Sequence, residues 1–86
     1  GPVNRIDDRY VRPHDLELHM EAAEGTTAAV VERAVYLGFE VRVELRRSDG
    51  VRFWAQLPRD EAERLELRGG QTVHARTQRE RVFALA

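Results

Sequence analysis

Arg42, Arg46, Arg52 and Trp54 are the side chains best placed to do chemistry, because they occupy alternate positions on two facing apolar-charged runs within residues 39–57. Guanidinium groups hold carboxylates and oxyanions through paired N–H donors, and an exposed indole can anchor a partner surface. The set fits recognition of an anion or a protein partner rather than bond-making chemistry. Pairing of the two runs sets Arg46 opposite Arg52 and Glu44 opposite Trp54. Like charges directly across a strand pair cost about 0.2–1 kcal/mol unless an anion or carboxylate sits between them. That conflict is answered either by an external anion or partner, or internally, by acids such as Glu44 and by a further strand laid over Trp54.

Two corners offer a second kind of site. Thr26 and Thr27 follow Gly25 at the start of a long strand, where backbone N–H groups and hydroxyls can cradle a small oxyanion. Gly69-Gly70-Gln71-Thr72 offers a similar corner, and both stretches also read simply as turns. His14, His19 and His74 lie on three separate segments without the spacing of a local metal site, and His14, beside Pro13 and Asp15, suits a hydrogen bond that fixes a turn. Glu61, Glu63 and Glu66 alternate with Arg59 and Arg64 as a solvated helix face does. With no nucleophile-base pair, ligand constellation or cofactor loop, the sequence predicts no catalytic residue, no metal and no cofactor.

Composition narrows the classes further. The 14 basic side chains are all arginine, which removes the lysine that a P-loop or a Schiff-base enzyme needs. Cysteine is absent, so disulfides, thiolate metal sites and cysteine nucleophiles are absent together. A formal net charge of −1 provides no basic field for nucleic acid. A single-strand binder using Arg42, Arg46, Arg52 and Trp54 would need several stacking aromatics and a positive groove, so no nucleic-acid partner is expected. No run approaches a membrane span, and no signal peptide is visible.

The elements that position these residues follow from periodicity. From Phe39 to Leu45 odd positions are apolar and even ones charged, and residues 51–57 repeat the pattern, the period of strands with one buried face. A three-residue Ser48-Asp49-Gly50 loop with its bulge aligns Leu45 with Phe53, Val43 with Ala55 and Val41 with Leu57, and Gly50 supplies the left-handed residue. Asp60 and Glu63 have capping-box spacing, and Ala62 with Leu65 is a helical i, i+3 pair, which predicts a two-turn helix ended towards Gly69-Gly70. Strands are predicted at residues 27–37, 72–77 and 81–85. Residues 15–20 alternate as well and read as a sixth strand against the barrel edge, with Pro13 at its start. From Thr27 the order is strand, strand, strand, helix, strand, strand. The fold class is mainly β, a small OB-like barrel of five to six strands with one short helix between the third and fourth barrel strands. Gly1-Pro2 resembles a protease scar on an expressed fragment, so residues 1–8 are set aside as a disordered lead-in and 9–86 form one domain. At 86 residues such a domain buries only about three-fifths of its unfolded surface, which makes a partner plausible on size alone.

Several of these residues also carry a family resemblance. Val11-Arg12-Pro13-His14-Asp15-Leu16-Glu17-Leu18, then Val35-Tyr36-Leu37-Gly38 and Val41 to Leu45, resemble the C-terminal segment of ABC importer ATPase subunits, where this run enters the transport-associated OB (TOBE) domain. Ala55-Gln56-Leu57-Pro58-Arg59, with Leu65, Leu67, Gly69-Gly70, Val73 and Arg81-Val82-Phe83-Ala84, is most similar to the version on sulfate/thiosulfate importers. The resemblance implies a regulatory tail without its nucleotide-binding domain, non-catalytic alone. Its implied partners are a second copy of the ATPase subunit, its own nucleotide-binding domain and, in some members, a small oxyanion. Its implied place is cytoplasmic, on the inner face of the cell membrane through the transporter. The alternative reading is a small-oxyanion (sulfate or molybdate class) binding sensor; related molybdate-binding modules enter the first strand through a Ser-Ala-Arg-Asn run, whereas this chain reads Glu24-Gly25-Thr26-Thr27, a departure that weighs against a molybdate-type pocket.

Overall fold

Alternation in the sequence becomes a strongly curved sheet. The computed structural model describes residues 3–78. Its strands are β1 (Asn4–Ile6), β2 (Arg9–Val11), β3 (Leu16–His19), β4 (Thr27–Leu37), β5 (Glu40–Arg47), β6 (Arg52–Pro58) and β7 (Thr72–Thr77), with one helix, α1 (Arg59–Leu65). β1 and β2 form a separate hairpin, and the main sheet runs β3-β7-β4-β5-β6, with its neighbours antiparallel. Val31, Val41, Val43, Leu45, Ala55 and Val73 point inward and are fully buried, and Ala62 and Leu65 of α1 join the same core. The mainly β barrel with its short helix is therefore the architecture that the periodicity predicts.

The β5–β6 pairing follows the predicted register throughout: Leu45 faces Phe53, Val43 faces Ala55 and Val41 faces Leu57. Gly50 takes φ +92°, its N–H donates to Arg47 O at 2.9 Å, and Arg47 N–H donates to Val51 O at 2.8 Å. The Ser-Asp-Gly loop is thus closed from both sides by Arg47.

Elsewhere the structure departs from the expectations. The segment set aside as a disordered lead-in contains β1, paired to β2 through an Asp7-Asp8 turn whose residues both take positive φ, an αL conformation that Asp tolerates better than most residues. The capping box does not form: α1 begins at Arg59, after Pro58, and no side chain caps it. Asp60 Oδ1 accepts from Glu61 N at 2.9 Å within the first turn, so Asp60 lies too far into the helix to cap it. The left-handed residue after the helix is Glu66, not glycine. Pro13 sits in a 3₁₀ turn over Pro13–Asp15 rather than in an edge strand.

β3 lies, as expected, at an edge of the main sheet: it pairs with β7 from Leu16↔Thr77 to His19↔His74 and buries Leu16 and Leu18. The strand expected at residues 81–85 lies outside the described residues.

β4 carries one irregularity with consequences for the outer face. Val31 faces Leu45 and Arg33 faces Glu44, so Glu32 is an extra residue, a bulge. The Gly69-Gly70 corner packs directly beneath it. Gly70 N–H donates to Val31 O at 2.8 Å, Val31 N–H donates to Gln71 O at 2.8 Å, and a side chain on Gly69 would begin 3.2 Å from Glu32 O. A Cβ at that approach would require the Glu32 carbonyl to give by a few tenths of an ångström.

Candidate functional site

The bulge resolves the charge conflict on the outer face. Arg46 and Arg52 do face one another across β5 and β6. Glu32, turned outward by the bulge, sits between them, with Oε2 2.9 Å from Arg46 Nε and Oε1 3.5 Å from Arg52 Nε. The carboxylate that this face needs is thus internal, though it is Glu32 and not Glu44. Glu44 instead bridges Arg33 at 3.2 Å and Arg42 at 3.3 Å. The face is a ladder of alternating charge drawn from three strands.

Trp54 is half-buried and faces Glu44 as the register requires. The Arg42 guanidinium carbon lies 4.0 Å from the indole centroid, a cation–π contact that covers one face of the ring. The backbone of Trp54 is engaged by β1. Its N–H donates to Asn4 Oδ1 at 2.8 Å and its carbonyl accepts from Asn4 Nδ2 at 2.7 Å. One side chain therefore satisfies both outward-facing groups at that point of the edge strand, as a neighbouring strand would. Arg42, Arg52, Trp54, Glu32 and Asn4 line an open cavity of about 350 Å³. Arg52 in it faces Glu32, Arg5 pairs with Asp8, and Arg42 lies within ion-pair distance of Glu44 while its buried Nε makes no hydrogen bond.

The threonine corner is separate from that face. Thr26 is used locally: its hydroxyl donates to Ala23 O at 2.7 Å and accepts from Ala23 N–H at 3.0 Å. Thr27 opens β4 and lines a cavity of about 110 Å³ with Gly25, Arg47 and Arg76. Arg76 contacts Glu17 Oε1 at 3.1 Å and donates to Glu24 O at 3.2 Å. The Gly69-Gly70 corner serves packing against β4. The structure therefore brings together Arg42, Arg46, Arg52 and Trp54, and keeps Thr26 and Thr27 apart from them.

Arg47 and Asn4 are the residues that sequence reasoning missed. Arg47 is held by two carboxylates, Asp7 at 2.8 Å and Asp49 at 2.7 Å, and so ties the β1–β2 turn to the β5–β6 loop. Its hydrogen bonds hold both acids below their ordinary value of 3.8, Asp49 down to about 2 with help from the Val51 N–H. A depressed folded-state value contributes stability that is complete above the unfolded value and disappears as the pH falls through the folded one. The denaturation midpoint is therefore expected to drop between about pH 4 and pH 2. In Asp49→Asn, chemical unfolding at stepped pH should show a shallower drop over that window.

Two of the three histidines lie beside acids. His14 Nε2 is 3.6 Å from Glu40 Oε2, and His19 Nε2 is 3.0 Å from Glu17 Oε1. The hydrogen bond to His19, followed by that from Arg76, holds Glu17 below its ordinary value. No cluster of three metal-ligating side chains occurs among the described residues, and none of their helices is long and apolar enough to cross a membrane.

The TOBE domain family model matches residues 10–85. The sulfate/thiosulfate import ATP-binding protein CysA of Nocardia farcinica is 47% identical over 92% of this chain and 28% of its own length. The protein of the same name from Mycobacterium tuberculosis H37Rv is 44% identical over 92% of this chain and 26% of its own length. That of Gloeobacter violaceus is 42% identical over 91% of the chain and 23% of its own length. The chain thus spans about a quarter of the length of the curated relatives it matches. Among solved structures, the cytoplasmic molybdate-binding protein ModG superposes with a TM-score of 0.73 at 13% identity, over 80% of this chain and 53% of that one, a likeness of fold. With the family model matching residues 10–85 and relatives above 40% identity over nearly the whole chain, the chain belongs to the TOBE domain family.

Proposed function

We propose that this domain is the regulatory and docking module of an ATP-binding subunit in a sulfate/thiosulfate-type ABC importer, acting on the cytoplasmic side of the membrane and without catalysis of its own. The observation that carries the reading is identity of 40% or more to several such subunits across nearly the whole domain. The geometry supports a docking role. Arg46 and Arg52 are matched by Glu32 of the same domain, and the edge of β6 is covered at Trp54 by Asn4. Its partners on this reading are the nucleotide-binding domain of its own subunit and a second copy of that subunit.

A chimaera tests this. The Nocardia farcinica relative, with its matching C-terminal region replaced by residues 3–86 of this chain, is expected to support growth on sulfate as sole sulfur source. A chimaera that accumulates to normal levels and hydrolyses ATP but takes up no sulfate would overturn it.

A further inference from the structure

Charge on the outer face of the sheet is unevenly satisfied. Four arginines there, Arg33, Arg42, Arg46 and Arg52, share two carboxylates, Glu32 and Glu44. Each carboxylate takes a hydrogen bond from one of them: Arg46 Nε donates to Glu32 at 2.9 Å, and Arg33 Nε donates to Glu44 at 3.2 Å. Arg42 and Arg52 keep ion-pair distances but donate no hydrogen bond among the described residues, and these two line the cavity of about 350 Å³ beside Trp54.

Arg42 is the more unusual of the two. The other half-buried arginines are hydrogen-bonded, Arg47 to Asp7 and Asp49, Arg76 to Glu17 and to the Glu24 carbonyl. Arg42 is held instead by its stack on Trp54, 4.0 Å from guanidinium carbon to ring centroid. Its Nε is buried with no acceptor although Glu44 Oε2 lies 3.3 Å away, and the side chain as a whole is 39% exposed. Buried donors in folded proteins are nearly always paired, so an unpaired one calls for a group from outside the fold. A guanidinium fixed by stacking also presents its N–H fork with little freedom left to lose on binding.

We propose that this cavity is a binding site for a small carboxylic acid that carries an apolar body, with Arg42 as the carboxylate ligand. A planar carboxylate matches the parallel N–H donors of a guanidinium edge. A compact dianion such as sulfate fits less well, because Glu44 stands beside Arg42 and repels a second negative charge at the same point. Arg52, on the neighbouring strand, adds positive charge to the same cavity, and the indole of Trp54 with the exposed Val3 supplies apolar wall. The volume lies within the range of about 300–1,000 Å³ usual for small-molecule sites. The proposal goes beyond the docking reading and does not rest on it.

Trp54 is the only tryptophan of the chain, so its fluorescence and its indole N–H signal in NMR report on this cavity. The 86-residue chain is titrated at neutral pH with cyclohexanecarboxylate, acetate and sulfate, against chloride at matched ionic strength. Cyclohexanecarboxylate is expected to give a saturable change with a midpoint of about a millimolar or below. Acetate, without the apolar body, should bind at least about tenfold more weakly, and sulfate should act as chloride does. Arg42→Gln should weaken binding by about tenfold or more, and Arg42→Lys nearly as much, since lysine keeps the charge and loses the fork. Arg64→Gln, on α1 and outside the cavity, should leave the midpoint within about twofold. Circular dichroism checks that each variant folds, and if Arg42→Gln does not, Arg42→Lys carries the test. No saturation with cyclohexanecarboxylate, a midpoint indifferent to the Arg42 variants, or sulfate binding as tight would overturn the proposal. So would a response to a peptide of alternating alanine and glutamate without one to the free acid, which would assign the cavity to a protein partner.

Discussion

Leu45→Ala is expected to lower the unfolding free energy by about 2–5 kcal/mol, the range for truncating a leucine inside a core. Leu45 is 0% exposed and packs between Phe53 on β6 and Val31 on β4, at the point where three strands share one inner layer. Its loss removes apolar contact and leaves a cavity that the surrounding β-branched side chains, stiff about their first torsion, cannot close. A domain of this length has a total stability of roughly 4–13 kcal/mol, so the loss is a large fraction of it. Urea titration checks this. The midpoint should fall with little change in slope, and a loss of less than about 1 kcal/mol would mean that the layer repacks. Leu45→Met, which conserves volume, should lose less than about 1.5 kcal/mol.

Asn4→Ala is the second large effect, expected at about 1–3 kcal/mol. Asn4 is 4% exposed, the one buried polar side chain among the described residues, and both of its hydrogen bonds go to the backbone of Trp54. Alanine would leave an N–H and a carbonyl of the edge strand without partners, partly shielded from water by the β1–β2 hairpin. Asn4→Asp should cost at least as much, because the carboxylate keeps the acceptor, loses the donor and sets a negative charge against the Trp54 carbonyl. Hydrogen exchange distinguishes this from a general loss of stability. The Trp54 amide should lose protection in Asn4→Ala well before Val43 or Val73 do. Equal loss at all three would show that the hairpin and the barrel open as one unit.

The parts of the fold that could be read from sequence are those in which neighbours in the chain are neighbours in space. The β5–β6 register followed from alternation and one glycine, because a hairpin fixes its own partner and a one-residue slip would turn Val43 and Leu45 outward. β3 was equally regular, but alternation states only which side of a strand is buried and never which strand lies beside it, so the pairing with β7 could not be read. α1 shows a different failure. The Ala62–Leu65 spacing placed the helix against the core, but Pro58 sets the entry angle and starts the helix before Asp60. The candidate face was legible as a set of residues and as a conflict between Arg46 and Arg52. Its resolution was not, because a bulge at Glu32 leaves no mark in a chain already rich in charged residues. Asn4 left none either: one short amide meeting a distant backbone has no periodicity. The signal available was the run of residues 4–11, alternation around two aspartates, which reads as a short hairpin once it is not set aside.

The position of β3 also bears on the order of assembly during synthesis. Its partner β7 begins more than fifty residues further along the chain. β4, β5 and β6 can associate through local turns as they emerge from the ribosome. Leu16 and Leu18 leave it first of the core residues of the main sheet and are paired last, since nothing in the nascent chain offers β3 its backbone partner until Thr72–Thr77 is made. Closing that loop is the slow, entropically costly step of the topology. Until it happens, β3 remains an unpaired strand with one apolar face, the kind of segment that chaperones bind and that misassembles with a neighbouring copy.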